Sequence, residues 1–429
     1  MSPARTALCA ALLLAACAAP EEDPAGIASS VSELGLVSDV TREHVVDDVY
    51  HYSFILRVGD APNARLRLHR VVRERDAWRP RPTYAAAMLV HGDFASFVSN
   101  FLPSEATPGA TDGLATHLAK RGVDVWGMDR RWGLVPAGPA DVSDFPEMGF
   151  AQEVDDIGAA LGAARALRIA GGDGAGKLHL VGFSRGGLLS YAYAVAEAGR
   201  PAFLRHLAGL VPLDVYAVIA PEDEELRLGM CAVAALDRAT FEAGVIDSDN
   251  SFFSLIGALA LEAPDEPSPI FPGTNRDAML LLVGQTYLFF NPTPRYHLAA
   301  GRVVDGAVVE LTESPEPTIA GWLIAAPPHQ SMREIVEGGD VWCGENSPVS
   351  MDLSRIRVPL YYLGAAGGFG DHGLYSTTQV ASSDVTTRVV SRLPADRVEE
   401  DFGHADLLFA RDAEALAWTP LGDWLLAHR

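Results

Sequence analysis

Lysine is nearly absent from this chain. Lys120 and Lys177 are the only two in 429 residues, and arginine supplies the rest of the 33 cationic side chains that face 56 carboxylates. The formal net charge is −23. Binding a nucleic-acid backbone needs clustered Lys and Arg to displace counterions, and a surface this acidic repels phosphate, so no nucleic-acid partner is expected. Beyond the amino terminus no apolar run approaches the roughly 18–20 residues of a spanning helix, which excludes a polytopic membrane protein. Cysteine is scarce too: there are four, and neither they nor the twelve histidines fall at metal-ligand spacing. No metal and no cofactor are expected. What is present suits a globular chain: 48% of residues are hydrophobic, too many for disorder, and the length allows two or three compact units.

At the amino terminus, Arg5 precedes an apolar run over residues 7–16 that ends at Cys17. A run of this length is a signal-peptide core and is too short to span a bilayer. Leu14-Ala15-Ala16-Cys17 resembles a bacterial lipobox. That resemblance implies cleavage after residue 16, acylation of the Cys17 thiol, and a membrane partner reached through the lipid; each buried CH₂ contributes roughly 0.8 kcal/mol. Ala18 implies the outer membrane of a Gram-negative envelope. An ordinary secretory cleavage nearby is the alternative. Residues 18–40 read as a flexible tether. Export removes Cys9 and lipidation occupies Cys17, so Cys231 and Cys343 remain; in an oxidising compartment they are expected to pair, two separate buried thiols being the alternative.

Strand and helix patterns alternate along most of the rest. Residues 45–58 and 65–72 read as strands, 84–90 as a strand buried on both faces, 113–121 as helix and 123–129 as strand. Residues 150–169 read as helix, 177–183 as strand, 186–198 as helix, and a strand falls within 203–215. Later come 358–364 (strand), 385–393 (helix capped by Asp384), 398–402 (strand) and 413–428 (helix). This alternation predicts an α/β fold with a mostly parallel sheet and helices on both faces. Residues 221–356 interrupt it and are too long for a loop. They read as an inserted, mainly helical cap between a first core segment, 41–220, and a second, 357–429.

Three segments at strand ends carry chemistry. Gly182-Phe183-Ser184-Arg185-Gly186 lies between an apolar strand and an apolar helix. So tight a turn projects a serine hydroxyl above the sheet, and the flanking glycines make room for neighbouring backbone. His91-Gly92-Asp93-Phe94 follows another strand; the amide of Asp93 or Phe94, with that of Arg185, could form an oxyanion hole. His404, behind Gly403 and after the last expected strand, suits a general base. Gly171–Lys177 mimics a phosphate-binding loop, but Leu178 stands where Ser or Thr is required, so it reads as a surface turn.

The order Ser184, acid, His404, together with these motifs and 122–129 (Gly-Val-Asp-Val-Trp-Gly-Met-Asp), resembles the α/β-hydrolase superfamily, in particular its acid-lipase branch. The resemblance covers roughly 45–219 and 358–428. It implies an eight-stranded-type sheet with the cap inserted before the penultimate strand, and a Ser-His-Asp triad. It places the acid after strand 358–364, where Asp371 comes first, past Gly367-Gly368-Phe369-Gly370; Asp384 and Asp214 are the alternatives. The expected activity is hydrolysis of a carboxylic ester with a hydrophobic part. A polyester, lactone, thioester or peptide substrate remains open, as does a non-catalytic ligand-binding surface lipoprotein. Oligomeric state is not legible.

Overall fold

The computed structural model describes residues 37–106, 112–289 and 291–429. The expected signal peptide, Cys17 and the tether as far as residue 36 lie outside the described residues.

Nine strands build the central sheet: β1 (Val37–Val46), β2 (Val49–Arg57), β3 (Arg65–Asp76), β4 (Ala85–Val90), β5 (Val123–Asp129), β6 (Leu178–Phe183), β7 (Leu207–Leu213), β8 (Leu360–Ala365) and β9 (Val385–Val390). Their order is β1-β2-β3-β5-β4-β6-β7-β8-β9, and the two-residue strand Arg79–Pro80 pairs with β3 as a tenth. The first three are antiparallel, as is the β3–β5 junction; β4 through β9 run parallel. The helices include α1 (Phe97–Phe101), α2 (Gly113–Lys120), α3 (Phe150–Ala170) and α4 (Arg185–Ala198). Every residue of β4, β6 and β8 is buried, because helices cover both faces. Side chains alternate between two cores: Leu89, Val181 and Leu363 pack with Leu114 and Leu118 of α2, while Met88, Leu180 and Tyr362 pack with Ile157 of α3 and Leu189 of α4.

Four expectations are corrected. The 45–58 strand is two, broken at Asp47 with φ 52°. β1 begins at Val37, so the last four residues of the expected tether belong to the sheet. Residues 385–390 are strand, not helix: Val-Thr-Thr-Arg-Val-Val is β-branched at five of six positions and completes the sheet edge. The expected strand 398–402 is instead mostly a tight 3₁₀ turn, Ala395–Glu400.

The insertion contains α5 (Glu224–Glu242), α6 (Ser251–Glu262), α7 (Asn275–Gly284), α8 (Glu316–Ile324) and α9 (Met332–Cys343). Two short ribbons accompany them, Gly301–Val304 with Ala307–Leu311 and Asp247–Asp249 with His329–Ser331. A disulfide, Cys231–Cys343, ties α5 to α9, and Arg238 of α5 pairs with Asp340 of α9. After β8 come α10 (His372–Thr378) and, near the carboxyl end, α11 (Thr419–Ala427).

Candidate active site

β6 ends at Phe183 and α4 begins at Arg185, which leaves Ser184 alone to reverse the chain. Its φ of 56° and ψ of −125° lie where side chains are rarely tolerated, at a cost of order 1–3 kcal/mol. The hydrogen bond from Ser184 N–H to the Leu213 carbonyl, 3.0 Å, holds the turn against the end of β7. A Cβ on Gly186 would lie 2.2 Å from the Val90 carbonyl oxygen, so only glycine fits there. Ser184 is half-buried, and its Oγ makes no hydrogen bond with any described residue.

Asp214 follows β7 directly, also with positive φ (44°). Its carboxylate accepts from His404 Nδ1 at 2.6 Å, and His404 and Asp214 are both buried. The other acceptor positions are filled by backbone: Ala365 N–H at 2.8 Å and Gly370 N–H at 3.0 Å on Oδ1, Phe369 N–H at 3.0 Å on Oδ2. The glycine-rich loop therefore cradles Asp214 rather than delivering Asp371. A Cβ on Gly368 would sit 2.0 Å from Asp214 Oδ2, which explains the glycine. The first acid expected, Asp371, is exposed before α10 and is not the carboxylate bonded to His404 Nδ1; Asp384 is exposed just before β9, 3.2 Å from His428. The expectation fails because a carboxylate ending β7 and one following β8 are equivalent in sequence pattern, and only the path of the 366–370 loop distinguishes them. The His404 ring stacks on Phe183, centroids 4.4 Å apart, which puts the imidazole beside the serine turn. Asp406, another nearby acid, accepts from Ala300 and Gly403 N–H and braces that turn; burial pushes it up to about 7.

The third segment meets the first through Gly92, whose hypothetical Cβ would lie 2.9 Å from Ser184 Cβ. Phe94 has φ 40°, and its N–H donates to Gln330 Oε1 of the insertion at 3.3 Å. Among the described residues, the amides of Asp93 and Arg185 have no such acceptor. The Asp93 carboxylate accepts from Arg185 Nε at 3.2 Å, Arg130 Nη1 at 3.2 Å and Gln330 Nε2 at 2.8 Å. Burial opposes its charge, but Arg185 and Arg130 prevail and hold it below the usual carboxylate range. The ring of Phe94 stacks on Phe253 of α6 at 4.3 Å and tilts against Trp322 of α8 at 5.6 Å.

Sequence reading missed Arg130, Glu153, Gln330 and Glu334, which surround this loop. A signal existed for Arg130, an arginine directly after a buried strand at the same sheet end as His91 and Ser184. Gln330 and Glu334 carried none, since nothing local says which insertion residues touch the core. Among the described residues one group of metal-ligating side chains lies close together, Cys231, Cys343 and Glu345, and both sulfurs are used by the disulfide.

Comparison with known proteins agrees with this geometry at the level of architecture. No protein-family model matches the chain, and no curated protein does. Among solved structures, a Sulfolobus solfataricus protein regarded as a lipase is similar over 91% of this chain and all of its own, with 16% identity and a TM-score of 0.61. A monoglyceride lipase from Saccharomyces cerevisiae aligns over 91% of this chain and 96% of its own, at 13% identity and a TM-score of 0.45. The chain has an α/β-hydrolase fold: a mostly parallel sheet flanked by helices, with a turn serine at one strand end.

Proposed function

We propose that this protein is a serine hydrolase cleaving carboxylic esters that carry a hydrophobic group. The observation that carries the reading is the 2.6 Å contact from Asp214 to His404 Nδ1, beside a serine held at φ 56°. With Nδ1–H donating to the carboxylate, Nε2 keeps its lone pair and can take the proton of Ser184 Oγ as that oxygen attacks the ester carbonyl. The tetrahedral oxyanion is received by the N–H groups of Asp93 and Arg185. The imidazolium then returns the proton to the departing alcohol, leaving an acyl group on Ser184, and water repeats the sequence to release the acid. The aromatic rings of Phe94, Phe253 and Trp322 beside the oxyanion loop favour an apolar acyl or alcohol moiety.

Attachment to the cell envelope through an acylated Cys17 belongs to the same proposal. Val37 pairs with Leu56, Leu56 with Leu66, and the adjacent Arg67 with Asp129, the last residue of β5. The described chain therefore enters at the carboxyl end of the parallel strands, the end that carries Ser184. Twenty residues at about 3.5 Å each would let an anchor at Cys17 reach at most about 70 Å.

A fluorophosphonate probe tests the reaction: the wild type should be labelled, and Ser184→Ala should not. Absence of labelling in folded wild-type protein would refute it, and a series of p-nitrophenyl esters of rising acyl length then reports the apolar preference.

A further inference from the structure

If the Asp93 amide is to receive an oxyanion, something must aim it. A trans peptide points its N–H opposite to its C=O, so the direction of the Asp93 N–H is set by whatever holds the Gly92 carbonyl. Two groups hold it. His91 Nδ1 lies 2.8 Å from that oxygen, and because His91 Nε2 accepts from Arg130 N–H at 3.2 Å, the ring proton is on Nδ1 and donates to the carbonyl. Burial pushes His91 down to about 4, so the ring stays neutral and this arrangement persists at ordinary pH. The second is Arg130 itself, whose Nη1 donates to the same carbonyl at 3.2 Å and to Asp93 Oδ1 at 3.2 Å. One guanidinium thus grips both the peptide oxygen and the side chain of the residue whose N–H is assigned to the oxyanion.

Arg130 is itself fixed from two directions. Glu153 of α3 takes it bidentately at 2.8 and 2.7 Å, and Trp132 lies under its plane at 4.7 Å. From the insertion, Glu334 of α9 stands 2.9 Å from Nη2. Glu334 also accepts from Gln330 Nε2 at 2.9 Å, and Gln330 in turn bonds Asp93 Oδ1 and the Phe94 N–H. Most of this is buried: Arg130 is 1% exposed and Glu334 not at all, while Asp93 is half-buried. A charge so placed next to a peptide carbonyl also polarises the peptide and strengthens its N–H as a donor.

We propose that Arg130 is a positioning residue of the oxyanion hole, and that Glu334 and Gln330 complete it from the insertion, so that the amide is correctly aimed only while the insertion is docked. This rests on the serine-hydrolase reading above. It assigns the insertion a part in the chemistry.

Arg130→Lys keeps the charge and loses the fork; Glu334→Gln and Gln330→Leu disturb only the insertion side. For Arg130→Lys, kcat on a p-nitrophenyl ester should fall about 10- to 100-fold with KM little changed, somewhat less than deletion of an oxyanion donor costs. The rate of fluorophosphonate inactivation should fall in parallel, because the phosphoryl oxygen uses the same amides. Glu334→Gln and Gln330→Leu should each lower kcat several-fold in the same pattern. A purely structural role would lower the melting temperature and leave kcat of the folded fraction unchanged, and that result overturns the proposal. Should Arg130→Lys not fold, the two insertion variants decide it by the same criterion. Wild-type protein inert to both ester and probe would instead overturn the hydrolase reading, and this proposal with it.

Discussion

Replacing Asp214 by Asn changes one atom and discriminates sharply among the candidate acids. The carboxylate accepts four donors, two on each oxygen: Ala365 and Gly370 N–H on Oδ1, Phe369 N–H and His404 Nδ1–H on Oδ2. An amide must turn its NH₂ towards one of these pairs. Towards Oδ1 it meets two backbone donors that cannot rearrange. Towards Oδ2 it meets one such donor and an imidazole that can shift its proton to Nε2, so the second orientation wins. The cost is one stranded buried N–H and the loss of charge-assisted bonds, together about 2–4 kcal/mol of stability. The chemical consequence is larger. With its proton on Nε2, His404 can no longer accept from Ser184, and kcat should fall by about 10⁴. The assay is steady-state hydrolysis of p-nitrophenyl butyrate, scaled by the folded fraction from circular dichroism, with Asp371→Asn and Asp384→Asn expected to stay near wild type. If Asp214→Asn stays within tenfold of wild type, or Asp371→Asn is the more damaging, the assignment is wrong.

Gly368→Ala should disturb the same carboxylate, since the new methyl would lie 2.0 Å from Oδ2; kcat is expected to drop at least tenfold, and a wild-type rate would show that the 366–370 loop does not hold the acid. Breaking Cys231–Cys343 opens a loop spanning 112 residues and should cost about 4–5 kcal/mol in the chain-entropy description, read as a lower melting temperature for Cys231→Ser/Cys343→Ser or in reductant; an unchanged melting temperature contradicts it. Stability should also depend on Glu334. Burial pushes its pKa up from 4.5 to about 8, with Glu153 and Asp93 adding to the effect and Arg130 and Arg185 opposing it. The folded state therefore binds this proton more tightly than the unfolded chain, so its contribution is complete below about 4.5 and disappears as pH rises through about 8. Urea unfolding from pH 5 to 8.5 should show stability declining with pH in the wild type and a flatter dependence in Glu334→Gln; parallel curves would refute this.

The residues themselves determined much of this protein. Apolar runs such as those of β4, β6 and β8 can be satisfied only by a sheet covered on both faces, and the turn after Val181-Gly182-Phe183 leaves Ser184 as the one side chain able to stand above it. Those are consequences of local sterics and burial, so sequence contains them. Residues 385–390 carry a strand signal in their β-branched side chains, but the neighbour that decides between strand and helix, β8, is not visible in the segment itself. The acid is a stronger case. Asp214, Asp371 and Asp384 each follow or precede a plausible strand, and what selects Asp214 is the path of a glycine loop whose amides wrap its carboxylate. The setting of Arg130 by Glu334 and Gln330 joins residues about 200 positions apart. Such choices depend on distances across the folded molecule, and those exist only after the chain has closed on itself.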